Sequence, residues 1–280
     1  MSKWRPVSKN CFYVIPDIHG SLSNLNLILD RILPLRKSDG GQDKLIFLGD
    51  YIDRHVNSHL VIDELITLKE KYKDNVIFLK GNHEDFFLKA IGEIECNLQQ
   101  QYFNYQMWLN NGGIETLYGY LQRNNFDENP LAFPKSKIRS LIPDSHIKFL
   151  KECLPYYEND NYIFVHGGCD PHNLLINQEQ EVLLWDRNLF KFVRSCLLSN
   201  QEDKIDWNKI VVCGHSGPKI IIHEKYMMLD AGAPSKLLVL ELNSLEAFIA
   251  DKDNDRLVKF EINKTLKDDL KISFKKENMK

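Results

Sequence analysis

The sequence predicts an α/β fold in which two packed, mixed β-sheets are flanked by helices. Two observations support this prediction. Short apolar segments rich in strand-forming residues alternate with helical patterns over residues 12–91, and short β-like segments separated by Gly, Pro, Asn and Ser follow residue 214. Alternating strands and helices indicate a parallel sheet covered by helices. The later segments indicate a second, partly antiparallel sheet.

Three strand-to-helix units open the chain. Strands are predicted at 11–15, 44–48 and 75–79, and the segments that follow carry apolar residues at helical spacing. Each junction holds a polar cluster, and the three clusters are Asp17-Ile18-His19-Gly20, Gly49-Asp50-Tyr51-Ile52-Asp53-Arg54 and Gly81-Asn82-His83-Glu84. Ligands of parallel sheets bind at the carboxyl ends of the strands. We therefore expect the clusters to share one edge of the sheet.

The second half of the chain adds two more strands that end in histidine. Residues 162–165 run into His166, and residues 209–213 run into His215. About 97–155 is predicted to be a helical cap insertion, because its pattern is mainly helical. The β-like segments after residue 214 are predicted at 219–222, 226–229, 236–242 and 246–250.

The composition indicates how many domains the chain forms and where the protein is located. With 280 residues, 43% hydrophobic content and no Pro/Gly/Ser-rich linker, the sequence predicts one domain over 1–262 and a charged tail over 263–280. No apolar run approaches the roughly 20 residues of a membrane helix, and the first residues lack a signal-peptide core. We therefore expect a cytoplasmic protein without a membrane partner, and a monomer by default.

Charge and cysteine usage narrow the class further. The net charge is −3 and no basic run occurs, which argues against a nucleic-acid partner. The six cysteines show no paired spacing. We expect them to be reduced packing residues rather than disulfides.

The residue types in the clusters suit phosphoryl transfer. This reaction needs charge neutralisation on the phosphate, a positioned nucleophile and protonation of the departing oxygen. Two divalent cations roughly 3.5–4 Å apart supply the first two requirements. Asp, His and Asn are suitable ligands for such ions, and arginine binds phosphate oxygens in a fork. The joint spacing therefore predicts a metal-dependent phosphoesterase.

The motifs also resemble those of a known family. Asp-x-His-Gly, Gly-Asp-x-x-Asp-Arg and Gly-Asn-His-Glu, in this order, resemble the signatures of the phosphoprotein phosphatases, the serine/threonine phosphatases among the calcineurin-like metallophosphoesterases. Trp-x-x-Asn-Gly-Gly-x-x-Thr-Leu at 108–117, Leu-Trp-Asp-Arg at 184–187 and Asp-x-Gly-Ala at 230–233 resemble the bacterial and phage branch. The resemblance extends from about residue 12 to 240.

The resemblance implies a metallophosphoesterase fold, a set of metal ligands and a set of catalytic residues. Two divalent ions, Mn²⁺ first and Fe or Zn²⁺ as alternatives, would be held by Asp17, His19, Asp50, Asn82, His166 and His215. Hydroxide bridging both ions would attack the phosphorus of phosphoserine or phosphothreonine directly. His83 would protonate the leaving group, Asp53 would orient His83, and Arg54 and Arg187 would bind the phosphate. The implied substrates are phosphoproteins, including phosphotyrosine proteins, or phosphorylated small molecules.

Some residues depart from the pattern or lack a role in it. His55 stands where the family usually has Gly, and a positive φ there would cost on the order of 1 kcal/mol. Lys80 stands where Arg is common. Glu84 is expected to ligate nothing, whereas Tyr105 and Trp108 are expected to pack and to contact substrate in part.

Two other functions stay open. A diadenosine polyphosphate hydrolase shares the fold and metals, although the retained Asp53 and Glu84 disfavour it. A catalytically silent, metal-stabilised binding protein is the alternative from another class. Nuclease and purple acid phosphatase relatives typically end in Gly-His-x-His, but Gly217 occupies the last of these positions.

Overall fold

The structure is a computed structural model that describes residues 11–35, 37–38, 41–251 and 256–260. The predicted tail over 263–280 lies outside the described residues. Across the described part of the chain, no helix combines the length and apolar character that a membrane span requires.

Three parallel strands form the centre of the first sheet. They are β1 (Phe12–Ile15), β4 (Lys44–Phe47) and β5 (Val76–Phe78). A small hairpin, β2 (Lys37–Ser38) and β3 (Gly41–Gln42), interrupts the sequence between the first two. The helices that follow the three central strands are α1 (Leu22–Ile32), α2 (Ser58–Tyr72) and α3 (Asn82–Ala90). The three predicted strand-to-helix units are therefore present.

Four further helices follow α3. They are α4 (Leu98–Trp108), α5 (Ile114–Arg123), α6 (Lys135–Leu141) and α7 (Asp144–Glu152), and a π-helical turn (Leu109–Gly113) joins the first two. Their buried residues share one core with α1–α3 and the first sheet. Residues 97–155 are thus mainly helical and cover one face of that sheet, while the domain boundaries remain a prediction.

The second sheet has five strands in the order β6-β7-β8-β10-β9. These strands are β6 (Tyr156–Glu158), β7 (Tyr162–Val165), β8 (Ile210–Cys213), β9 (Lys219–His223) and β10 (Tyr226–Asp230). Two helices, α8 (Gln180–Trp185) and α9 (Asn188–Leu198), connect β7 to β8. Short 3-10 helices lie at Lys73–Asn75, Pro130–Ala132, Leu175–Asn177 and Glu202–Lys204.

The last strands return to the first sheet. β11 (Lys236–Glu241) pairs antiparallel with β1, and β12 (Glu246–Asp251) and β13 (Arg256–Phe260) extend the edge, giving the order β13-β12-β11-β1-β4-β5. The prediction that all segments after residue 214 form the second sheet is therefore wrong for β11 and β12. The reason is that strand pairing is non-local, so consecutive β-like segments can belong to different sheets.

Hydrophobic residues fill three layers. Val14 and Ile46 of the first sheet meet Phe164, Val212 and Met227 of the second sheet between the two sheets. The alternate positions of the strands pack outward, against α1–α7 on one side and against α8 and α9 on the other. Central strands buried on both faces explain the continuous apolar runs of the sequence. The predicted fold class, two packed mixed sheets flanked by helices, is confirmed.

The packing brings the ends of strands from both sheets to one edge. The amide of Gly214, after β8, donates to the carbonyl of His166, after β7, over 2.9 Å. Across the two sheets, Nδ1 of His166 lies 2.9 Å from the carbonyl oxygen of Leu48, after β4. The three clusters that follow β1, β4 and β5 share one edge of the first sheet, as predicted, and the strand ends of the second sheet that carry His166 and His215 lie beside them.

Candidate metal centre and active site

Five strand ends supply six buried polar side chains to a single cluster. Two follow β1, one follows β4, one begins α3 after β5, and one follows each of β7 and β8. They are Asp17, His19, Asp50, Asn82, His166 and His215, with side chains 0–8% exposed. The structure therefore brings together all six predicted ligands, although their roles as ligands remain a proposal.

Asp50 lies at the centre of this cluster. Its Oδ1 lies 3.3 Å from Nε2 of His166, and its Oδ2 lies 3.6 Å from Nε2 of His19. The same nitrogen of His166 lies 2.9 Å from Oδ1 of Asn82. Donors about 2.1 Å from a shared ion lie about 3–3.5 Å apart. Each oxygen of the Asp50 carboxylate therefore lies close to another candidate metal ligand, as expected for a carboxylate that bridges two ions.

The histidine nitrogens are oriented for metal binding. Nδ1 of His19 lies 2.8 Å from the carbonyl oxygen of Ile52, and Nδ1 of His166 bonds to Leu48 in the same way. A carbonyl acceptor fixes the proton on Nδ1 and leaves the lone pair on Nε2. Nε2 of His19 and of His215 is buried and has no hydrogen-bond partner among the described residues. Buried polar atoms are seldom left in this state, so these residues fit a metal ion.

The charges of the cluster also favour cations. Burial, Asp230 and Asp50 raise the pKa of Asp17 to about 8. Burial opposes protonation of His166, but Asp50, Asp17 and Glu84 together outweigh burial and raise the pKa of His166 to about 9. Burial and the neighbouring His166 lower the pKa of His215 to about 3. Carboxylates crowded away from water need positive charge beside them, and bound divalent ions would provide it.

Two three-residue groups within the described chain have donor atoms all within 4.8 Å of one another, namely His19, Asp50 and His83, and Asp50, His166 and His215. His83 occupies the place in the first group that was predicted for Asp17. However, Nδ1 of His83 already bonds to Asp53, and the positively charged guanidinium of Arg54 lies 3.2 Å from its Nε2, where a metal ion would have to bind. Oδ2 of Asp17 lies 4.0 Å from Nε2 of His19. Asp17 is therefore the better third donor, and His83 is available for another role.

His83 and Asp53 form a buried acid pair beside the ligands. Nδ1 of His83 lies 2.7 Å from Oδ2 of Asp53, and the two residues are 2% and 0% exposed. Burial lowers the pKa of His83, but Asp50 and Asp53 together outweigh burial and Arg54, and the pKa is raised. The imidazole is thus supported in its protonated form, which a proton donor requires.

Both predicted arginines lie at the edge of the cluster with exposed side chains. Nη2 of Arg54 lies 3.2 Å from Nε2 of His83, and Nη2 of Arg187 donates to the carbonyl of His215 over 3.5 Å. The positive φ whose cost was considered at His55 does not occur there, and Arg54 has it instead, with φ 64°. The replacement of glycine by His55 therefore causes no such strain, because the turn takes its left-handed residues one position earlier.

Backbone strain is concentrated in the same loops. Positive φ values occur at His19 (48°), Asp50 (54°), Asp53 (73°) and His215 (67°). Such values are uncommon for residues with a side chain and cost of order 1–3 kcal/mol each. The surrounding hydrogen bonds hold these conformations in place, and the result is the convergence of side chains from separate strands.

Sequence reasoning missed the role of Glu84. Its buried carboxylate accepts the backbone amides of Asp50, Tyr51 and Gly81, each over 2.8 Å. It therefore joins the loop after β4 to the start of α3. Burial and then Asp50 raise its pKa to about 7. The Gly-Asn-His-Glu motif was the available signal, but the expectation that Glu84 ligates nothing gave no indication of its contacts to another loop.

Two other residues differ from expectation or were left without a role. Trp108 is 0% exposed, so the expected partial contact with substrate is wrong for this residue. Its indole N–H instead donates to the buried carboxylate of Asp53. Asp230, which was noted only within a motif, accepts the amides of Gly217 over 2.7 Å and Gly232 over 2.9 Å. It thereby stabilises the loop that follows His215.

The family assignment agrees with this geometry. The model of the calcineurin-like phosphoesterases matches residues 12–238. The chain therefore belongs to the calcineurin-like phosphoesterase family. Members of this family depend on metal ions and have a binuclear metal site, for which the cluster around Asp50 supplies candidate ligands.

Curated relatives are similar over part of the chain. A candidate serine/threonine-protein phosphatase of Caenorhabditis elegans, C06A1.3, is 39% identical over 89 residues, which is 32% of this chain and 23% of that protein. The serine/threonine-protein phosphatase BSL2 of Arabidopsis thaliana is 35% identical over 86 residues, which is 30% of this chain and 8% of that protein. The matched segments thus span less than a quarter of either relative.

A solved protein structure has the same fold. A mutant of a cold-active protein tyrosine phosphatase superposes with a TM-score of 0.51 at 16% sequence identity, covering 92% of this chain and 82% of the other. At this level of identity the similarity concerns the fold alone.

Proposed function

We propose that the protein is a metal-dependent phosphomonoesterase that hydrolyses phosphoserine and phosphothreonine in proteins. The observation that carries this proposal is the hydrogen bond from His83 to Asp53 beside the candidate metal ligands. A serine or threonine alkoxide is a poor leaving group and needs a proton. Hydrolysis of a phosphoanhydride releases a better leaving group, so it depends less on protonation by the His83–Asp53 pair.

Each candidate catalytic residue has a defined task in the proposed reaction. Asp17, His19 and Asp50 would hold one divalent ion, and Asp50, Asn82, His166 and His215 the other. Bound there, the two ions would neutralise charge on the phosphate and activate water. Mn²⁺ is the proposed ion, with Fe or Zn²⁺ as alternatives, because the set mixes carboxylate, amide oxygen and imidazole donors.

The remaining groups act on the substrate itself. The guanidinium groups of Arg54 and Arg187 are exposed at the rim, where they would bind the phosphate oxygens in a planar fork. His83 would donate the proton on Nε2 to the departing oxygen, since Nδ1 is directed toward Asp53. Phosphotyrosine and small phosphate esters are proposed as further substrates, because these groups recognise mainly the phosphate.

Over the matched segments, the chain is similar to two serine/threonine-protein phosphatases. This similarity supports the proposal that the substrate is a phosphorylated protein. A cytoplasmic location, a monomeric state and the absence of nucleic-acid and membrane partners remain part of the proposal. The diadenosine polyphosphate hydrolase and the silent binding protein remain the alternatives to be tested.

The test is hydrolysis by the chelator-treated, Mn²⁺-reconstituted protein of a phosphoserine peptide, a phosphotyrosine peptide and diadenosine tetraphosphate. The control is the double variant Asn82→Ala, His83→Ala. We expect turnover of the phosphoserine peptide well above the control and slower turnover of the nucleotide. Turnover of the nucleotide alone would overturn the protein-substrate proposal, and turnover no faster than the control would leave only a binding role.

A further inference from the structure

A turn outside the metal cluster contacts the acid pair. The chain leaves α4 at Trp108, passes through the π-helical turn and enters α5, which contains Thr116. Nε1 of Trp108 donates to Oδ1 of Asp53 over 2.9 Å, and the hydroxyl of Thr116 donates to the same oxygen over 2.8 Å. Both residues are 0% exposed. Neither can therefore contact a substrate.

The two donors determine how Asp53 meets His83. They occupy Oδ1, while Oδ2 lies 2.7 Å from Nδ1 of His83. A carboxylate with both oxygens engaged on opposite sides cannot rotate without breaking a buried hydrogen bond, which costs about 1–3 kcal/mol. The indole and the hydroxyl thus fix the plane of the carboxylate that orients the imidazole.

Thr116 of α5 and Ser58 of α2 hold the backbone of Asp53. Its amide donates to the hydroxyl oxygens of Thr116 over 2.9 Å and Ser58 over 3.0 Å. These contacts support a residue whose φ is 73°. Thr116 therefore binds Asp53 twice, once through the carboxylate and once through the amide.

Gly113 permits the position of the indole. A Cβ atom at this residue would lie 2.5 Å from Nε1 and Cε2 of Trp108, which is far inside van der Waals contact. The absence of a side chain lets the indole lie against the turn with its N–H directed at Asp53. The Trp-x-x-Asn-Gly-Gly-x-x-Thr pattern thereby acquires a physical explanation.

We propose that Trp108 and Thr116 are positioning residues for the protonation of the leaving group, acting through Asp53 on His83. This inference rests on the proposed function and deepens it. It predicts that loss of either donor slows the departure of poor leaving groups and affects good ones little.

The kinetic test compares phenyl phosphate, a poor leaving group, with 2,4-dinitrophenyl phosphate, a good one. Thr116→Val removes the hydroxyl at nearly constant volume, and Thr116→Ser retains it as the matched control. We expect Thr116→Val and Trp108→Phe to lower kcat for phenyl phosphate by roughly tenfold or more, and kcat for the dinitrophenyl ester by less than about threefold. KM should be unchanged for both esters, and Thr116→Ser should restore the loss.

Coupling to Asp53 provides a further kinetic criterion. In an Asp53→Asn background, Thr116→Val should lower kcat for phenyl phosphate no further, because the two residues act in one chain of contacts. Equal losses on both esters, or a fully additive double variant, would overturn the inference and indicate general structural damage.

A metal-free measurement separates this inference from the proposed function. In ¹⁵N-labelled protein without metal, the indole N–H signal of Trp108, assigned by its absence in Trp108→Phe, should shift in Asp53→Asn and in Thr116→Val but not in Thr116→Ser. An unshifted signal would overturn the inference. If the wild type with Mn²⁺ hydrolyses neither ester, the proposed function fails, and the indole signal still shows whether the turn is coupled to Asp53.

Discussion

Nδ1 of His83 lies 2.7 Å from Oδ2 of Asp53, and this buried contact joins the start of α3 to the loop that follows β4. Asp53 receives donors from α3, α4 and α5, because His83, Trp108 and Thr116 all bond to its carboxylate. Trp108 of α4 and Thr116 of α5 thus hold Asp53, which in turn positions the proposed proton donor, His83 of α3.

Replacement of His83 tests the proposed proton donor. His83→Asn keeps a polar side chain near Asp53 but cannot donate a proton from a charged ring. We expect kcat for a phosphoserine peptide to fall about 10²–10⁴-fold, which is the usual contribution of general acid catalysis. Metal content, measured by inductively coupled plasma mass spectrometry, should stay at the wild-type value. A variant that retains more than about half of the activity would show that His83 is not the acid.

Replacement of Glu84 tests its role in joining two loops. In the wild type, the carboxylate of Glu84 accepts hydrogen bonds from backbone N–H groups. Glu84→Gln replaces one carboxylate oxygen by an NH₂ group, which cannot accept, so at least one buried N–H group loses its acceptor. We expect the free energy of unfolding to fall by about 2 kcal/mol or more. Urea denaturation of the metal-free protein measures this change.

The matched control for Glu84 is Glu95→Gln, which makes the same chemical change at an exposed position. Surface substitutions of this kind usually change stability by no more than about 0.5 kcal/mol. Similar, small losses for the two variants would contradict the structural role of Glu84.

A third prediction concerns the support of Arg54 by Gly112. The amide of Arg54 donates to the carbonyl of Gly112 over 2.9 Å, and a Cβ at Gly112, where φ is 101°, would lie 2.6 Å from that amide nitrogen. Gly112→Ala should displace Arg54 and raise KM for phosphate esters by roughly tenfold, as expected for a misplaced binding group. Steady-state kinetics and inhibition by inorganic phosphate measure the effect.

Gly92→Ala is the control for Gly112→Ala. Gly92 also has a positive φ, 80°, but the atom nearest to its added Cβ belongs to the flexible side chain of Gln101. Both variants should lose about 1 kcal/mol of stability from backbone strain. Only Gly112→Ala should change KM, and equal KM changes in both variants would count against the prediction.

A fourth prediction concerns the attachment of the helical segment. The carboxylate of Glu93 contacts Lys151 of α7 over 2.5 Å and pairs with Arg139 of α6. These contacts lower the pKa of Glu93 below its ordinary value of 4.5. Because the folded-state pKa is the lower one, the stabilisation is present above pH 4.5 and is lost as the pH falls through the folded-state value.

The measurement compares unfolding free energies of the wild type and Glu93→Gln as a function of pH. The difference between them should be constant above about pH 5 and shrink below about pH 4.5. The pairs are partly exposed, so added salt should reduce the difference. A difference that grows on acidification would contradict the sign of this linkage.

The local chemistry of the site could be predicted from sequence because it is encoded in short segments. Asp17, Asp50 and Asn82 each follow an apolar strand pattern, and a parallel sheet places such positions at one edge. The prediction of the two sheets was correct for the same reason, since strand patterns are local.

The remaining features depend on contacts between distant segments. β11 pairs with β1 across more than 220 residues, as in the pairing of Tyr13 with Glu241, and no periodicity specifies that choice. Glu84 accepts backbone amides of the loop after β4, and Trp108 donates to the carboxylate of Asp53 in that loop, so both roles depend on contacts with a distant segment. A side chain that packs and a side chain that positions a catalytic group have the same sequence pattern.

The most direct test of the central claim is anomalous diffraction from crystals of the protein grown with Mn²⁺. The account predicts two anomalous peaks at the rim, one between His19 and Asp50 and the other among Asp50, His166 and His215, with Asp50 contacting both. No peak at this position, or a single peak without contact to Asp50, would contradict it.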